Sequence, residues 1–181
     1  ECAVVCPDAA IPNTVHEIHD LLLTAITGLD TTEQHKTEMT AQVFPLTKTI
    51  RDAYRKLPSK DPKAFHEIVA ESLDELEIGN ASLKRDFDNM IEVLKCFPVV
   101  KTRPFFDSIE KQAPGTGGLY SANIDPWKCS GCLECVDVCG PGALSAQRQS
   151  TQVQFAMQRT FEFLSRLRNS KVPYIANSTW V

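Results

Sequence analysis

Within residues 127–139, Trp127-Lys128-Cys129-Ser130-Gly131-Cys132-Leu133-Glu134-Cys135-Val136-Asp137-Val138-Cys139 sets four thiols at C-x2-C-x2-C-x3-C spacing. No other stretch of the chain restricts its folding so tightly. Three thiols three residues apart, followed by a fourth, make the run of a bacterial-type [4Fe–4S] site, whose short loop wraps one corner of an iron–sulfur cube. Gly131 suits such a loop, because a residue without Cβ can take positive φ and bring its N–H close to a sulfide. In two-cluster proteins with this run the fourth cysteine binds the other cluster. A distant thiol must therefore complete the first cube.

That thiol is expected at the opposite end of the sequence. Residues 1–7, Glu-Cys-Ala-Val-Val-Cys-Pro, are the C-x3-C-P half of the same motif without its first two cysteines. The crossover rule places Cys6 with Cys129, Cys132 and Cys135 on one complete cluster. Cys2 and Cys139 then belong to a second cluster, whose other ligands would precede Glu1 as a C-x2-C pair. Since residue 1 is not Met and nothing resembles a signal peptide, the chain is expected to be a piece of a longer one, with a processed precursor as the alternative.

Composition closes off several other classes. A length of 181 residues supports one sizeable core or two small ones, and 43% hydrophobic with 23% charged residues is ordinary for a globular chain. No apolar run approaches the roughly 20 residues of a membrane span, so no membrane association is expected. A net charge of −4 without a basic stripe argues against nucleic acid. Six of the seven cysteines fall in the two short runs, too tightly spaced for a disulfide framework. A reducing, cytoplasmic setting follows as an expectation. Cys96, the remaining thiol, is expected to be buried and inert on the apolar side of a helix.

Between the half-motifs the sequence reads as helical. Asp8-Ala-Ala-Ile11 is expected to be a turn and strand start. Thr14-Val-His-Glu17 has the form of a capping box, followed by an apolar face of Val15, Ile18, Leu22, Ala25, Ile26 and Leu29 with Gly28 as the stop. A second helix is expected to begin near Pro45, to carry Leu46, Ile50, Ala53 and Leu57, and to end at Pro58. Asp61-Pro62 opens a third, with Phe65, Ile68, Val69, Leu73 and Leu76 on one face and Gly79 at its end. Asn80 caps a fourth that aligns Leu83, Phe87, Met90, Ile91 and Leu94. The connector 97–104 leads to one or two helical turns from Pro104, and 113–118 reads as a flexible hinge with neither a P-loop nor a dinucleotide pattern. Leu119–Ile124 is expected to be a strand entering the cluster loop and Gly142–Ala146 a strand leaving it. A helix over 151–168 should turn Val153, Ala156, Met157, Leu164 and Leu167 inward, and 172–181 should be extended.

The fold class expected is α+β: a bacterial-type two-[4Fe–4S] ferredoxin domain split by a mainly helical insertion. Its parts are the first half-motif (1–12), the insertion (13–118), the second half (119–149), and a helix and linker (150–181). The chemistry expected is one-electron transfer at an anionic site, whose potential defaults to low unless N–H groups point at the sulfurs. Zinc is the main competitor, yet it calls for well-separated C-x2-C pairs. His16 and His19 lie a helical turn apart, but with no carboxylate or thiol motif around them they read as surface residues, as do His35 and His66. Glu134 and Asp137 read as solvent-facing spacers among the ligands.

The two cysteine segments, the Ala122-Asn-Ile-Asp125-Pro-Trp-Lys128 lead-in and the phenylalanine-rich helix that follows resemble the two-cluster ferredoxin domain of pyruvate:ferredoxin oxidoreductase and related 2-oxoacid:ferredoxin oxidoreductases. The resemblance covers about the first dozen residues and 119–168. It implies a part of a larger, oligomeric enzyme of anaerobic metabolism that relays electrons to ferredoxin or flavodoxin from a thiamine diphosphate site with magnesium and coenzyme A. Those cofactors lie outside this chain, which lacks the Gly-Asp-Gly opening of the thiamine site and is expected to hold no catalytic residue. Gly140 stands where the family usually has proline, and the insertion is longer than the family's. Two alternatives stand beside this: an iron–sulfur or docking module of another redox complex, and a cluster that serves only as a folding staple.

Overall fold

The computed structural model describes residues 2–58, 63–76, 78 and 80–168. In chain order these form a single-turn helix α1 (Cys2–Val5), strand β1 (Asn13–His16), helices α2 (Ile18–Thr27), α3 (Glu33–Lys56), α4 (Phe65–Asp74) and α5 (Ala81–Lys95), and a π-helical turn (Arg103–Asp107) that runs into α6 (Ser108–Gln112). Strand β2 (Leu119–Ala122), the short α7 (Glu134–Asp137) and α8 (Thr151–Arg166) follow. The mixture of helices with a small antiparallel sheet is of the α+β kind.

One apolar core gathers α2 to α5. From α2 it takes Ile18, Leu21, Leu22, Ala25 and Ile26, and from α3 Met39, Val43, Leu46, Ile50 and Tyr54. Phe65, Ile68, Val69 and Leu73 of α4 and Phe87, Met90 and Leu94 of α5 close it. Each stripe recurs every three or four residues, so each helix buries one face, and burying each large side chain contributes about 1.5–3 kcal/mol. The caps are as local chemistry dictates. Asn80 Oδ1 accepts from the N–H of Ser82 at 2.9 Å and of Leu83 at 3.4 Å, and Thr32 Oγ1 accepts from His35 N–H at 3.2 Å.

Several expectations are corrected. The Thr14–Glu17 capping box does not form, because Thr14 and Val15 are drawn into β1, where they pair with Ser121 and Tyr120 of β2. Helix α2 starts only after Glu17, which makes no side-chain cap, and Gly28 ends it in an ordinary right-handed conformation, φ −81°. The second expected helix begins twelve residues before Pro45, at Glu33, and Pro45 lies inside it. Residues 142–146 have no sheet partner: among the described residues β1 and β2 are the strands. In α8 only Phe163 is fully buried, with Leu167 just beyond its end. Val153, Met157 and Leu164 are half-buried, and Ala156 is exposed. Asp61-Pro62, Gly79 and 172–181 lie outside the described residues.

Polar links, one half-buried and one buried, tie the helices together. Asp86 of α5 accepts from Thr31 Oγ1 at 2.7 Å and lies 2.6 Å from His35 Nδ1, joining α5 to the start of α3. The Thr31 hydrogen bond, more than opposing burial, and then His35 hold the Asp86 carboxyl below its usual range. Glu110 of α6 accepts from Arg51 at 2.9 Å, from Arg55 at 2.6 Å and 3.0 Å, and from the N–H groups of Gly115 and Gly117 at 2.9 Å and 2.8 Å. Loop 113–118 is thus pinned to a buried carboxylate instead of standing free as a hinge. Val100 bridges to Tyr120 across the connector. No helix among the described residues is long and apolar enough to cross a membrane.

Candidate metal centre

The sheet brings the two cysteine segments together. Antiparallel pairing of Asn13–His16 with Leu119–Ala122 continues beyond the strands, through Asn123 N–H to Pro12 C=O at 3.2 Å and Asp125 N–H to Ala10 C=O at 2.7 Å. Residues 2–9 and 126–139 therefore emerge side by side from one end of a two-stranded ladder. Asp125, buried, then shapes the second segment. Its carbonyl accepts from Cys129 N–H at 3.0 Å, and its carboxylate accepts from Trp127 N–H at 3.0 Å. The Asp-Pro pair at 125–126 was the available signal for this turn, although cysteine spacing alone assigns it no role.

Both segments build the same turn. Ala9 N–H donates to Cys6 C=O at 3.1 Å, and Gly142 N–H to Cys139 C=O at 2.8 Å. The third residue after each cysteine is left-handed, Ala9 at φ 49° and Gly142 at φ 65°. The fourth aims its N–H at the sulfur: Ala10 N to Cys6 Sγ and Ala143 N to Cys139 Sγ, each at 3.2 Å. Two stretches of unlike sequence thus repeat one local geometry. Helix α1 packs on α7, and Ser130 Oγ donates to the Asp8 carboxylate, so the turn after Cys6 touches the loop between Cys129 and Cys132.

The loop itself is bent by left-handed residues at Gly131, φ 75°, and Leu133, φ 67°. Cys129 and Cys132 are exposed, and Cys2, Cys6, Cys135 and Cys139 are half-buried. Burial first, then the neighbouring Cys132 and Cys129, pushes the Cys135 thiol up. At the other segment, Tyr120 is raised by burial and then by the charge of Cys2, and its hydroxyl donates to Asn13 Oδ1 at 2.8 Å.

Among the described residues no three His, Cys, Asp or Glu side chains converge as ligands of a single metal ion would. A cube makes a different demand. Each of its thiolates takes its own iron, so the sulfurs line the corners of a space and need not meet at a point. In its chemistry the donor set is of the kind a cube takes: soft thiolates, backbone N–H groups directed at Cys6 and Cys139, and loops bent by positive φ. Cys6, Cys129, Cys132 and Cys135 would hold one such group, and Cys2 and Cys139 part of another.

The remaining candidates separate from this site. His16 is buried in β1, not at the surface as expected; burial is the largest influence on it and lowers its pKa, against Asp20 and a hydrogen bond to the Arg168 backbone. His35 belongs to the Asp86 link. Cys96 is half-buried at the end of α5, where its carbonyl accepts from Thr160 Oγ1 at 2.6 Å, so it is less enclosed than a core thiol. Glu134 and Asp137 are exposed on α7, as spacers should be. Compared with protein-family models, with curated proteins and with solved structures, the chain matches none.

Proposed function

We propose that the chain is an electron-relay segment, carrying [4Fe–4S] clusters, of an oxidoreductase of the 2-oxoacid:ferredoxin type. The observation that carries this is the matched pair of cysteine turns, which arise more than a hundred residues apart in the sequence and lie together at one end of the β1–β2 ladder. Bound there, a cube supplies one-electron chemistry over a potential range of roughly −700 to +450 mV. The residues of the chain supply the rest. Cys6, Cys129, Cys132 and Cys135 ligate one group, and Cys2 and Cys139 supply half the ligands of a second. Ala10 and Ala143 donate N–H hydrogen bonds to Cys6 and Cys139, which eases the accumulation of negative charge on those sulfurs. Asp125 sets the angle at which the second loop leaves the sheet.

In this reading the carbon chemistry, with thiamine diphosphate, magnesium and coenzyme A, belongs to other parts of the enzyme or its other subunits, and electrons leave to ferredoxin or flavodoxin in the cytoplasm. The test is anaerobic reconstitution of the full chain with ferrous iron and sulfide, followed by metal and sulfide analysis and electron paramagnetic resonance after dithionite. Iron and sulfide in equal amounts and a paramagnetic reduced state are expected, with Cys96→Ala unchanged and Cys6→Ala losing the signal. Zinc in place of iron, or a signal indifferent to Cys6, would overturn the assignment.

A further inference from the structure

The ladder has a polar inner face. Opposed positions of an antiparallel pair share a face, as do residues two apart, so Thr14 with Ser121 and His16 with Leu119 point the same way. Asn123 joins them, because its Nδ2 donates to Ser121 Oγ at 3.0 Å. Segment 97–98 covers this face: Ser121 Oγ donates to Pro98 C=O at 2.7 Å, and the Phe97 ring meets the His16 ring at 6.1 Å. Ser121 is 1% exposed, and His16 and Asn123 are each 4% exposed, so solvent outside the fold does not reach them.

Three buried polar atoms on this face have no hydrogen-bond partner among the described residues: Thr14 Oγ1, His16 Nε2 and Asn123 Oδ1. Buried polar atoms in folded chains are paired, with protein or with ordered water. Their neighbours fix their chemistry. Ser121 gives its single proton to Pro98 and accepts from Asn123 Nδ2, which leaves Asn123 Oδ1 as an acceptor. Burial lowers the His16 pKa, and the ring also bonds the Arg168 backbone. A neutral ring whose Nδ1–H meets that carbonyl leaves Nε2 as a bare acceptor. Two acceptors cannot both be met by the Thr14 hydroxyl, which has one proton. Further donors are required.

Spacing decides how many. Thr14 lies two residues from His16 and, across the pair, two from Asn123, about 6.5 Å from each at roughly 3.3 Å per residue. A water bridge spans about 5 Å, two hydrogen bonds of about 2.9 Å meeting near the tetrahedral angle. His16 and Asn123 are about 13 Å apart by the same count, too far for one molecule. The short side chains of Thr14 and Ser121 face each other midway, where bulkier ones would fill the seam. We propose that two internal water molecules occupy this seam, one bridging Thr14 Oγ1 to His16 Nε2 and the other bridging Thr14 Oγ1 to Asn123 Oδ1. Each water donates to its acceptor, while the Thr14 hydroxyl donates to one water and accepts from the other. The seam lies at the root of the cysteine segments, beside the Asn123 to Pro12 bond, and does not depend on a bound metal.

The test is a crystal structure of the full chain at a resolution that shows ordered water, with the His16 ring nitrogens read by nuclear magnetic resonance on isotope-labelled chain. Two waters are expected, each within hydrogen-bond distance of Thr14 Oγ1 and of its own acceptor, and Nε2 should resonate as an unprotonated, hydrogen-bonded nitrogen. Thr14→Val keeps the β-branched shape that suits β1. It should lose both waters and move the Nε2 resonance downfield. A protein group on either acceptor, a seam without water, a ring proton on Nε2, or both waters retained in Thr14→Val overturns the proposal. Should that variant fail to fold, the wild-type density and ring resonances decide alone.

Discussion

Ala9 and Gly142 occupy the same point of the two cysteine turns and differ by one methyl group. At φ 49° the Ala9 Cβ crowds the backbone, a conformation that costs an L-residue about 1–2 kcal/mol, whereas Gly142 takes its left-handed φ freely. The exchange therefore has opposite signs at the two sites. Ala9→Gly should stabilise the chain by about 0.5–1 kcal/mol, the relief of strain less the extra unfolded-state entropy of glycine. Gly142→Ala should destabilise it by a similar amount, and from backbone strain alone, because nothing lies within 4 Å of a Cβ placed there. Urea unfolding midpoints of the two variants check both signs. Glu110 is a second residue whose environment decides its behaviour. Burial alone would raise its pKa, but the N–H groups of Gly115 and Gly117 with Arg55 and Arg51 outweigh burial and hold it below the usual glutamate range. A depressed folded-state pKa gives stability that is present above the ordinary glutamate range and lost as pH falls through the folded value. Glu110→Gln should cost about 3 kcal/mol at neutral pH, since it leaves the buried Arg51 guanidinium with the Gly117 carbonyl but no opposing charge, and should flatten the acid limb of the stability profile.

Helices α4 and α5 were legible because their stripes and the Asn80 cap are local signals that no other part of the chain contradicts. Asn80→Ala should cost about 1 kcal/mol, measured as a shift in the thermal midpoint. Helix α3 was only half legible. Its first turns carry Met39 and Val43 among polar residues, a thin stripe, and Pro45 looks like a first-turn residue when it is an interior one. Proline there removes a backbone hydrogen bond to the preceding turn, so Pro45→Ala should stabilise the chain by about 1–3 kcal/mol. An unchanged midpoint would mean that the proline's stiffening of the unfolded chain offsets the lost hydrogen bond. Strand β1 was missed for a reason of another kind. Thr14-Val-His-Glu17 satisfies a helix-start pattern, but Thr14 and Val15 are β-branched and find a partner strand more than a hundred residues away. A short-range pattern cannot register such a partner. Helix α8 was placed correctly and oriented poorly, since apolar residues lie all around it and only the packing of Phe163 and Leu167 fixes which face goes in.

At the scale of the molecule, spacing alone marked the cysteine loop as a unit, because its four thiols fall within a dozen residues. Its meeting with residues 2–9 was inferable only from ligand chemistry, while the physical agent of that meeting, the β1–β2 ladder with Asp125 to Ala10 beyond it, left no comparable trace. The ladder also divides the chain energetically. No fully buried side chain falls within residues 2–9 or 126–150, whereas the core is supplied by α2 to α5 with Phe97, Val99, Phe106, Leu119, Phe163 and Leu167. Regions with few buried apolar contacts open locally without the rest. Stripping iron from the reconstituted chain with a chelator should therefore leave the far-ultraviolet helical signal and the main unfolding transition in place, and raise amide exchange in residues 2–9 and 126–150 alone. Collapse of the main transition on chelation would mean instead that the metal group acts as a staple for the whole fold, because only binding energy shared by the core can be withdrawn from it in that way.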